Sequence, residues 1–417
     1  MSLFSSVTLL LVQIPATLLI TMLCGDVFER LRQPRVVGEI IGGLLIGPLA
    51  LGRLWPAAFT LFFPPAQLQP LETVGRIGLI LFVFLMASEL DLAALRRTSD
   101  SVLAIIFASI YLPFALGASL APKFYARFSS LSTRPIVFLL FLGIAMGISA
   151  LPVLARILHD RQRGTRPLDP TVAATSLVTA AANDLLAWML LAVALALTQS
   201  PGSPVLSTAV ALHVLLLIGF VAAMLFIVRP LAKLLLTEDV STWALVIASI
   251  PFAVLTGQIS EALGVHPFFG AFLAGLCFPL RHNAWLQLEH ALAPVVQLTL
   301  PVFFALIGLR MDPAMLARGN LRWLALLLIA AIIGKFGGAS IAARASGLNW
   351  RPAAQIGALV NTRGLVELIV LYIGFDQHIL TPALYTLLVF MALLTTAMTS
   401  PLLDLLTPRQ DVPSRSS

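Results

Sequence analysis

Asp184 is a carboxylate in the middle of a long apolar stretch. Between Pro170 and Val228 it is the only side chain that is fully ionised in water. A carboxylate at the centre of a membrane helix is unfavourable by several kcal/mol unless a proton, a cation or a cationic side chain compensates its charge. Because a proton and a metal cation are alternative ways to neutralise it, we expect Asp184 to exchange one for the other. The competing interpretation is that Asp184 only pairs with a neighbouring helix.

Lys335 and Asn183 are two further polar side chains in apolar surroundings. Lys335 is the only charged residue between Arg322 and Arg344, which places it near the middle of a predicted helix. A lysine at that depth must be paired, deprotonated or facing water, although a long side chain can also reach towards the membrane surface. Asn183 precedes Asp184 and offers an amide that can hold geometry without adding charge.

The composition predicts an all-α polytopic membrane protein that resides in a lipid bilayer. Of the 417 residues, 59% are hydrophobic and 11% are charged, whereas a soluble chain carries roughly a quarter charged residues. The net charge of +7 fits loops beside an anionic lipid surface better than it fits nucleic-acid binding. No motif resembles a phosphate-binding loop, a metal cluster or a catalytic nucleophile, so we expect neither an enzyme nor a cofactor.

Hydropathy with a spanning length of about 20 residues predicts thirteen transmembrane helices. They lie near residues 6–27, 36–52, 73–90, 100–121, 135–158, 170–198, 204–228, 240–262, 265–281, 291–309, 322–344, 351–375 and 379–406. The second and ninth are short and rich in glycine, so twelve helices and one re-entrant segment is the alternative. We expect one transmembrane transporter unit over residues 1–409 and a short cytoplasmic tail over residues 410–417.

The charges of the loops predict the orientation of the chain. Sixteen Lys and Arg residues fall in the odd-numbered loops and the C-terminal segment, and seven fall in the even-numbered loops. Because basic loops stay on the cytoplasmic side, we expect an external N-terminus and a cytoplasmic C-terminus. The leading residues carry no Lys or Arg, so we also expect that the first helix is not removed as a signal.

Two of the predicted helices look interrupted. The fifth contains glycines and Pro152 around Ser149, and proline removes a backbone donor there. The twelfth contains the polar run Asn361, Thr362, Arg363 and Gly364. Interrupted helices at matching positions of two halves indicate a transporter binding site. These two helices lie seven crossings apart, so they run in opposite directions, as an inverted repeat requires.

Broken helices that cross at the midplane predict roles for the isolated charges. Such half-helices present positive N-termini and negative C-termini, and Asp184 and Lys335 have the signs to neutralise both kinds of end. We therefore expect Asp184 to bind a small cation with help from Ser149, and Lys335 to compensate charge. Arg363 and Glu367 are four residues apart on the twelfth helix, where a structural ion pair is slightly favoured over direct transport.

These motifs resemble the second monovalent cation/proton antiporter family of the cation/proton antiporter superfamily. Asn183 and Asp184 are similar to its Asn-Asp motif, and the resemblance covers nearly the whole chain. Its other signatures are similar to residues 32–40 with Gly47 and Pro48, and to residues 149–158, 270–275, 300–304 with 308–310, and 361–368.

The resemblance implies a sodium/proton antiporter-like fold with a mobile core and a dimerisation scaffold, in a homodimer. The core would comprise helices within 73–198 and 291–406, and the scaffold helices within 6–52 and 204–281. It implies that Asp184 carries the cation and proton, that Asn183 supports it, and that Lys335 compensates charge. Ser149 stands where many relatives have a hydroxyl.

We accordingly expect a secondary antiporter that exchanges Na⁺ or K⁺ for H⁺ across a bacterial plasma membrane. The exchange should be electroneutral, because Asn183 stands where electrogenic relatives carry a second aspartate. One alternative is a channel-like or uniport K⁺ pathway on the same core. Another is a sensor or solute symporter with the same inverted-repeat fold, although a non-ionic solute would not need Asp184 and Lys335.

Overall fold

The computed structural model describes residues 6–31, 33–64, 68–90, 98–130, 133–162, 167–198, 208–235, 241–278, 282–316 and 320–407. Every regular element within these ranges is helical, which confirms the predicted all-α class. The predicted tail, residues 410–417, lies outside the described residues.

The α-helices are, in chain order, α1 (Ser6–Arg30), α2 (Arg35–Ile46), α3 (Leu51–Leu54), α4 (Pro56–Phe62), α5 (Gln69–Ser88), α6 (Asp100–Phe128), α7 (Pro135–Gly147), α8 (Leu151–Gln162), α9 (Pro170–Ala196), α10 (Thr208–Ala223), α11 (Arg229–Leu235), α12 (Thr242–Ala262), α13 (Pro267–Cys277), α14 (His282–Leu309), α15 (Leu321–Ile332), α16 (Gly338–Ala345), α17 (Trp350–Val360), α18 (Leu365–Asp376) and α19 (Pro382–Leu406). Two π-helical segments, Met224–Val228 and Ile333–Gly337, join α10 to α11 and α15 to α16. A 3₁₀ turn spans Pro313–Leu316.

The described residues contain fewer membrane-spanning helices than the predicted thirteen. Among the described residues, 11 helices are long and apolar enough to cross a membrane, or 12 if the bent pair α17 and α18 is one span. The ninth predicted segment, 265–281, contains α13, whose 11 residues are fewer than the roughly 20 that a spanning helix needs. The chain is therefore a multi-pass membrane protein, and the count of thirteen is not confirmed.

The chain divides into two compact units. The first comprises Met1–Cys24, Glu39–Asp91 and Ala192–Met311, and the second comprises Gly25–Gly38, Leu92–Leu191 and Asp312–Ser417. The predicted assignment of helices to a mobile core and a dimerisation scaffold stays a prediction.

In the first unit, α5 packs against α13 and α14. Phe84 on α5, Ala274 on α13 and Leu292 on α14 belong to one buried apolar cluster. A Cβ atom at Gly275 would overlap the backbone of Phe84, so only glycine allows α13 to approach α5 this closely. Apolar contacts and close backbone approach are what hold helices together in a membrane, where water supplies no driving force between them.

In the second unit, α6 packs against α7 and α16, and α15 packs against α19. A buried apolar cluster joins Leu154 on α8, Ala180 on α9, Ala339 on α16 and Ile356 on α17. Both predicted interruptions are confirmed within this unit. The first separates α7 from α8 at residues 148–150, and the second separates α17 from α18 with a bend of 40°. Pro152 occupies the second position of α8, where its missing N–H breaks no helical hydrogen bond.

Candidate functional site

The two interruptions of the second unit are hydrogen-bonded to each other. The Ala150 N–H donates to the Thr362 carbonyl over 3.1 Å, and the Ser149 hydroxyl donates to the Val360 carbonyl over 2.9 Å. Each break therefore supplies partners for backbone groups that the other break leaves without helical hydrogen bonds. A Cβ at Gly364 would lie 2.6 Å from Val153 Cγ2, so the second break needs a glycine to come this close.

Two cations lie at the C-terminal end of α7. Arg363 Nη1 donates to the Ala145 carbonyl over 2.7 Å, and Arg363 Nη2 donates to the Met146 carbonyl over 2.8 Å. Lys335 Nζ donates to the next carbonyl, that of Gly147. The last carbonyls of a helix have no partner within it and carry partial negative charge, which these two side chains satisfy and offset.

Asp184 lies at a helix N-terminus, that of α8. Its Oδ2 accepts a hydrogen bond from the N–H of Leu151, the first residue of α8, over 3.4 Å. The positive end of α8 therefore faces the carboxylate. Asp184 is fully buried, and its Oδ1 has no hydrogen-bond partner in the described part of the chain. One carboxylate oxygen is thus left open to a proton or a cation.

The structure places Asp184 and Lys335 at the two ends of the same interruption. Lys335 is fully buried within the π-helical segment Ile333–Gly337. Segments of this kind occur frequently at functional sites, since they re-aim the side chains of a helix. The ion pairs among the described residues do not join Lys335 to Asp184, so each charge is held first by a helix end.

Asn183 is held between two hydroxyl groups. Its Nδ2 donates to Ser149 Oγ over 2.8 Å and to Ser109 Oγ over 3.2 Å. Ser109 lies on α6, is fully buried, and also donates to the Ile106 carbonyl over 2.8 Å. The sequence gives no sign of Ser109, because a single serine in an apolar helix is unremarkable.

Arg363 and Glu367 form the predicted ion pair. Arg363 Nη1 lies 2.7 Å from Glu367 Oε1, and both side chains are fully buried. Glu367 stands in the first turn of α18, where a carboxylate is favoured by the helix dipole. Together with Asp184 and Lys335 they are the four Asp, Glu, Lys and Arg side chains that have 0% exposure among the described residues, and their formal charges cancel.

Thr396 on α19 supports the second interruption. Its hydroxyl accepts from the Arg363 N–H over 3.0 Å and donates to the Arg363 carbonyl over 2.7 Å. One side chain thus satisfies both backbone groups of the residue that holds the end of α7. Thr362 donates to Thr399 on the same helix over 3.3 Å, whereas Asn361 Oδ1 is buried without a partner in the described part of the chain. Sequence reasoning missed Thr396, since nothing distinguishes it from the other threonines of α19.

Three side chains at the site carry oxygen atoms. The Asp184 carboxylate, the Asn183 amide oxygen and the Ser149 hydroxyl are the kind of ligands that alkali cations bind. The carboxylate can also take a proton. The arrangement can therefore hold either ion at one buried carboxylate.

The family model that describes a transmembrane sodium/hydrogen exchanger matches residues 16–405. The chain belongs to the sodium/hydrogen exchanger family. It is 38% identical over 405 residues to cation/H⁺ antiporter 17 of Arabidopsis thaliana, a match that covers 94% of this chain and 48% of that protein. It is 34% identical over 409 residues to the Na⁺/H⁺ antiporter NhaS4 of Synechocystis, covering 95% of this chain and 97% of that protein.

The fold of this family member is similar to that of a solved antiporter. The sodium/proton antiporter MjNhaP1 from Methanocaldococcus jannaschii superposes with a TM-score of 0.68 at 18% sequence identity, over 96% of this chain and 97% of that one. This likeness confirms the predicted antiporter-like fold. The chain spans about half the length of the plant relatives that it matches.

Proposed function

We propose that this chain is a secondary antiporter that exchanges a monovalent cation, Na⁺ or K⁺, for H⁺ by alternating access around Asp184. The observation that supports it is the open Oδ1 of a fully buried carboxylate at the N-terminal end of α8. A buried carboxylate without a close counterion is strongly unfavourable, so it binds one of two cations in turn. Relatives that are named cation/H⁺ and Na⁺/H⁺ antiporters agree with this proposal.

The remaining site residues would prepare Asp184 for this exchange. Lys335 and Arg363 neutralise the negative end of α7, so that end does not repel the open carboxylate. Asn183 and Ser149 add oxygen atoms without adding charge. Glu367 Oε1 pairs with Arg363, and we assign Glu367 to this structural ion pair and not to ion binding. We further propose a homodimer in a bacterial plasma membrane, with the N-terminus outside and the C-terminus in the cytoplasm.

Replacing Asp184 with asparagine tests the proposal. The amide keeps the size of the side chain but cannot bind and release a proton, so Asp184→Asn should abolish exchange while the protein still inserts and folds. Purified protein in proteoliposomes would be given a pH gradient, and dissipation of that gradient would be followed as sodium, potassium, lithium and choline are added in turn.

Asp169→Asn is the matched control. Asp169 stands just before α9, the helix that carries Asp184, is exposed, and accepts from the Thr171 N–H over 2.7 Å. Asparagine caps a helix about as well as aspartate, so this variant should exchange at the wild-type rate. Exchange by Asp184→Asn near the wild-type rate would contradict the proposal. Cation flux that is independent of any pH gradient would indicate a channel instead.

A further inference from the structure

Ser109 meets both polar atoms of the Asn183 side chain. Ser109 Oγ lies 3.2 Å from Asn183 Nδ2 and 3.3 Å from Asn183 Oδ1. It also lies 2.8 Å from the Ile106 carbonyl oxygen, which is the shortest of the three distances. The hydroxyl hydrogen therefore goes to Ile106, and Ser109 can only accept from Asn183.

The Ser149 hydroxyl can likewise act only as an acceptor towards Asn183. Its hydrogen goes to the Val360 carbonyl over 2.9 Å, so it too can only accept from Asn183 Nδ2, which lies 2.8 Å away. An amide group has two N–H hydrogens, and these two hydroxyls engage both. If the Asn183 amide rotated by 180°, its Oδ1 would face the Ser109 and Ser149 hydroxyls, whose hydrogens are already donated to carbonyl groups. A single orientation of the amide is therefore favoured.

We propose that Ser109 is a positioning residue for the ion site, because it engages the second N–H of Asn183 and so keeps that N–H from donating to the Asp184 carboxylate. This inference rests on the proposed role of Asp184. An amide hydrogen that lost Ser109 would be left without an acceptor in a buried site, which is unfavourable, so it would turn to another acceptor. Asp184 is the next residue along α9, and its Oδ1 has no hydrogen-bond partner among the described residues, so we take it as that acceptor.

Such a hydrogen bond would change both competing reactions at Asp184. It would stabilise the ionised carboxylate and so weaken proton binding, which moves half-maximal exchange to lower pH. It would also occupy a lone pair that the cation uses, which raises the KM for the cation at high pH. A hydrogen bond to a charged group is strong enough to predict a shift of about one pH unit.

Ser109→Ala, Ser109→Thr and Ser109→Cys test the role. The alanine variant should show the acid shift and the raised KM, with kcat at saturating cation less affected. Threonine keeps the hydroxyl and should restore the wild-type profile, and cysteine, a weaker acceptor of similar size, should fall between. Exchange would be measured in proteoliposomes from pH 5 to 9 with sodium, and folding would be checked by thermal unfolding of the purified protein.

Ser119→Ala is the matched control on the same helix. Ser119 also donates to its own helix, to the Leu116 carbonyl over 2.7 Å, but it is exposed. It should leave the pH profile unchanged. Wild-type profiles for both Ser109→Ala and Ser109→Cys would overturn the inference, as would a threonine variant that behaves like alanine. If the Asp184→Asn variant still exchanges ions, the proposed function fails; if it does not and the Ser109 variants are normal, only this inference fails.

Discussion

At the scale of single residues, the site contains four buried charged side chains, and only two of them form an ion pair with each other. Arg363 and Glu367 neutralise each other, and Arg363 also holds two carbonyl groups of α7. Removing one member of such a buried pair leaves an uncompensated charge, which is strongly destabilising. Asp184 is held by one backbone N–H over 3.4 Å and forms no ion pair among the described residues. That difference is the reason why we propose Asp184, and not Glu367, as the carboxylate that exchanges ions.

Glu89 gives a pH prediction outside the membrane-spanning segments. It follows the end of α5, where neighbouring atoms desolvate its carboxyl and the Glu289 carboxylate repels its charge, and together these raise the pKa of Glu89 from 4.5 to about 7. The folded protein therefore binds a proton that the unfolded chain releases. Its stabilising contribution is complete below pH 4.5 and is lost as the pH rises through 7. Wild-type protein should melt at lower temperature at pH 8 than at pH 5.

Glu89→Gln should reduce that difference, because glutamine stays neutral across the range. The measurement is the melting temperature of detergent-solubilised protein at pH 5 and pH 8, for the wild type and the variant. Glu261→Gln, which changes an exposed glutamate of the same unit, serves as the control. An unchanged pH dependence in Glu89→Gln would argue that Glu89 titrates alike in the folded and unfolded chain.

At the scale of helices, the interruption between α7 and α8 creates two opposed ends that need opposite charges. Lys335 lies at the negative end, and Lys335→Met removes its donor and charge while keeping much of the side-chain length. We expect a loss of about 1–3 kcal/mol of stability, because a buried carbonyl loses its partner. Lys335→Arg keeps charge and donors and should retain more stability and more exchange, although its geometry differs. Thermal unfolding and proteoliposome exchange would measure both effects.

Equal behaviour of the methionine and arginine variants would contradict this role for Lys335. The ammonium would then not hold the end of α7. Lys123→Met, on α6, provides a control for the loss of one lysine, since Lys123 is exposed.

The sequence predicts the membrane-spanning helices and the buried charged residues well, but it does not predict which hydroxyl groups belong to the site. Apolar stretches predicted all the long spans, because transfer into lipid requires about 20 apolar residues wherever a helix crosses. The isolated charges Asp184, Lys335 and Arg363 were visible for the same reason. Ser109 and Thr396 were not, because most hydroxyls in these helices, such as that of Thr395, bond only to their own helix. Whether a hydroxyl forms a hydrogen bond to a neighbouring helix depends on how the helices pack, and the local sequence does not show that packing.

At the scale of the whole molecule, the four buried charges predict how much charge one transport cycle moves. With a proton on Asp184, the site carries one net positive formal charge, that of Lys335, because Arg363 and Glu367 cancel. With a monovalent cation bound to the ionised carboxylate, the net formal charge is the same. One cation for one proton therefore moves no net charge, and we expect electroneutral exchange.

An imposed membrane potential tests this expectation. Proteoliposomes would receive valinomycin and a potassium gradient at equal internal and external pH, with sodium as the transported cation and Asp184→Asn protein as the control. An electroneutral exchanger should accumulate no more sodium with the potential than without it, since the potential does no work on a cycle that carries no net charge.

Accumulation driven by the potential alone would require a second group that gives up a proton when the cation binds. Lys335 is the residue to test for that role, because Glu367 is held in its ion pair and Asn183 cannot titrate. Lys335→Met should then abolish the response to potential while slower exchange continues.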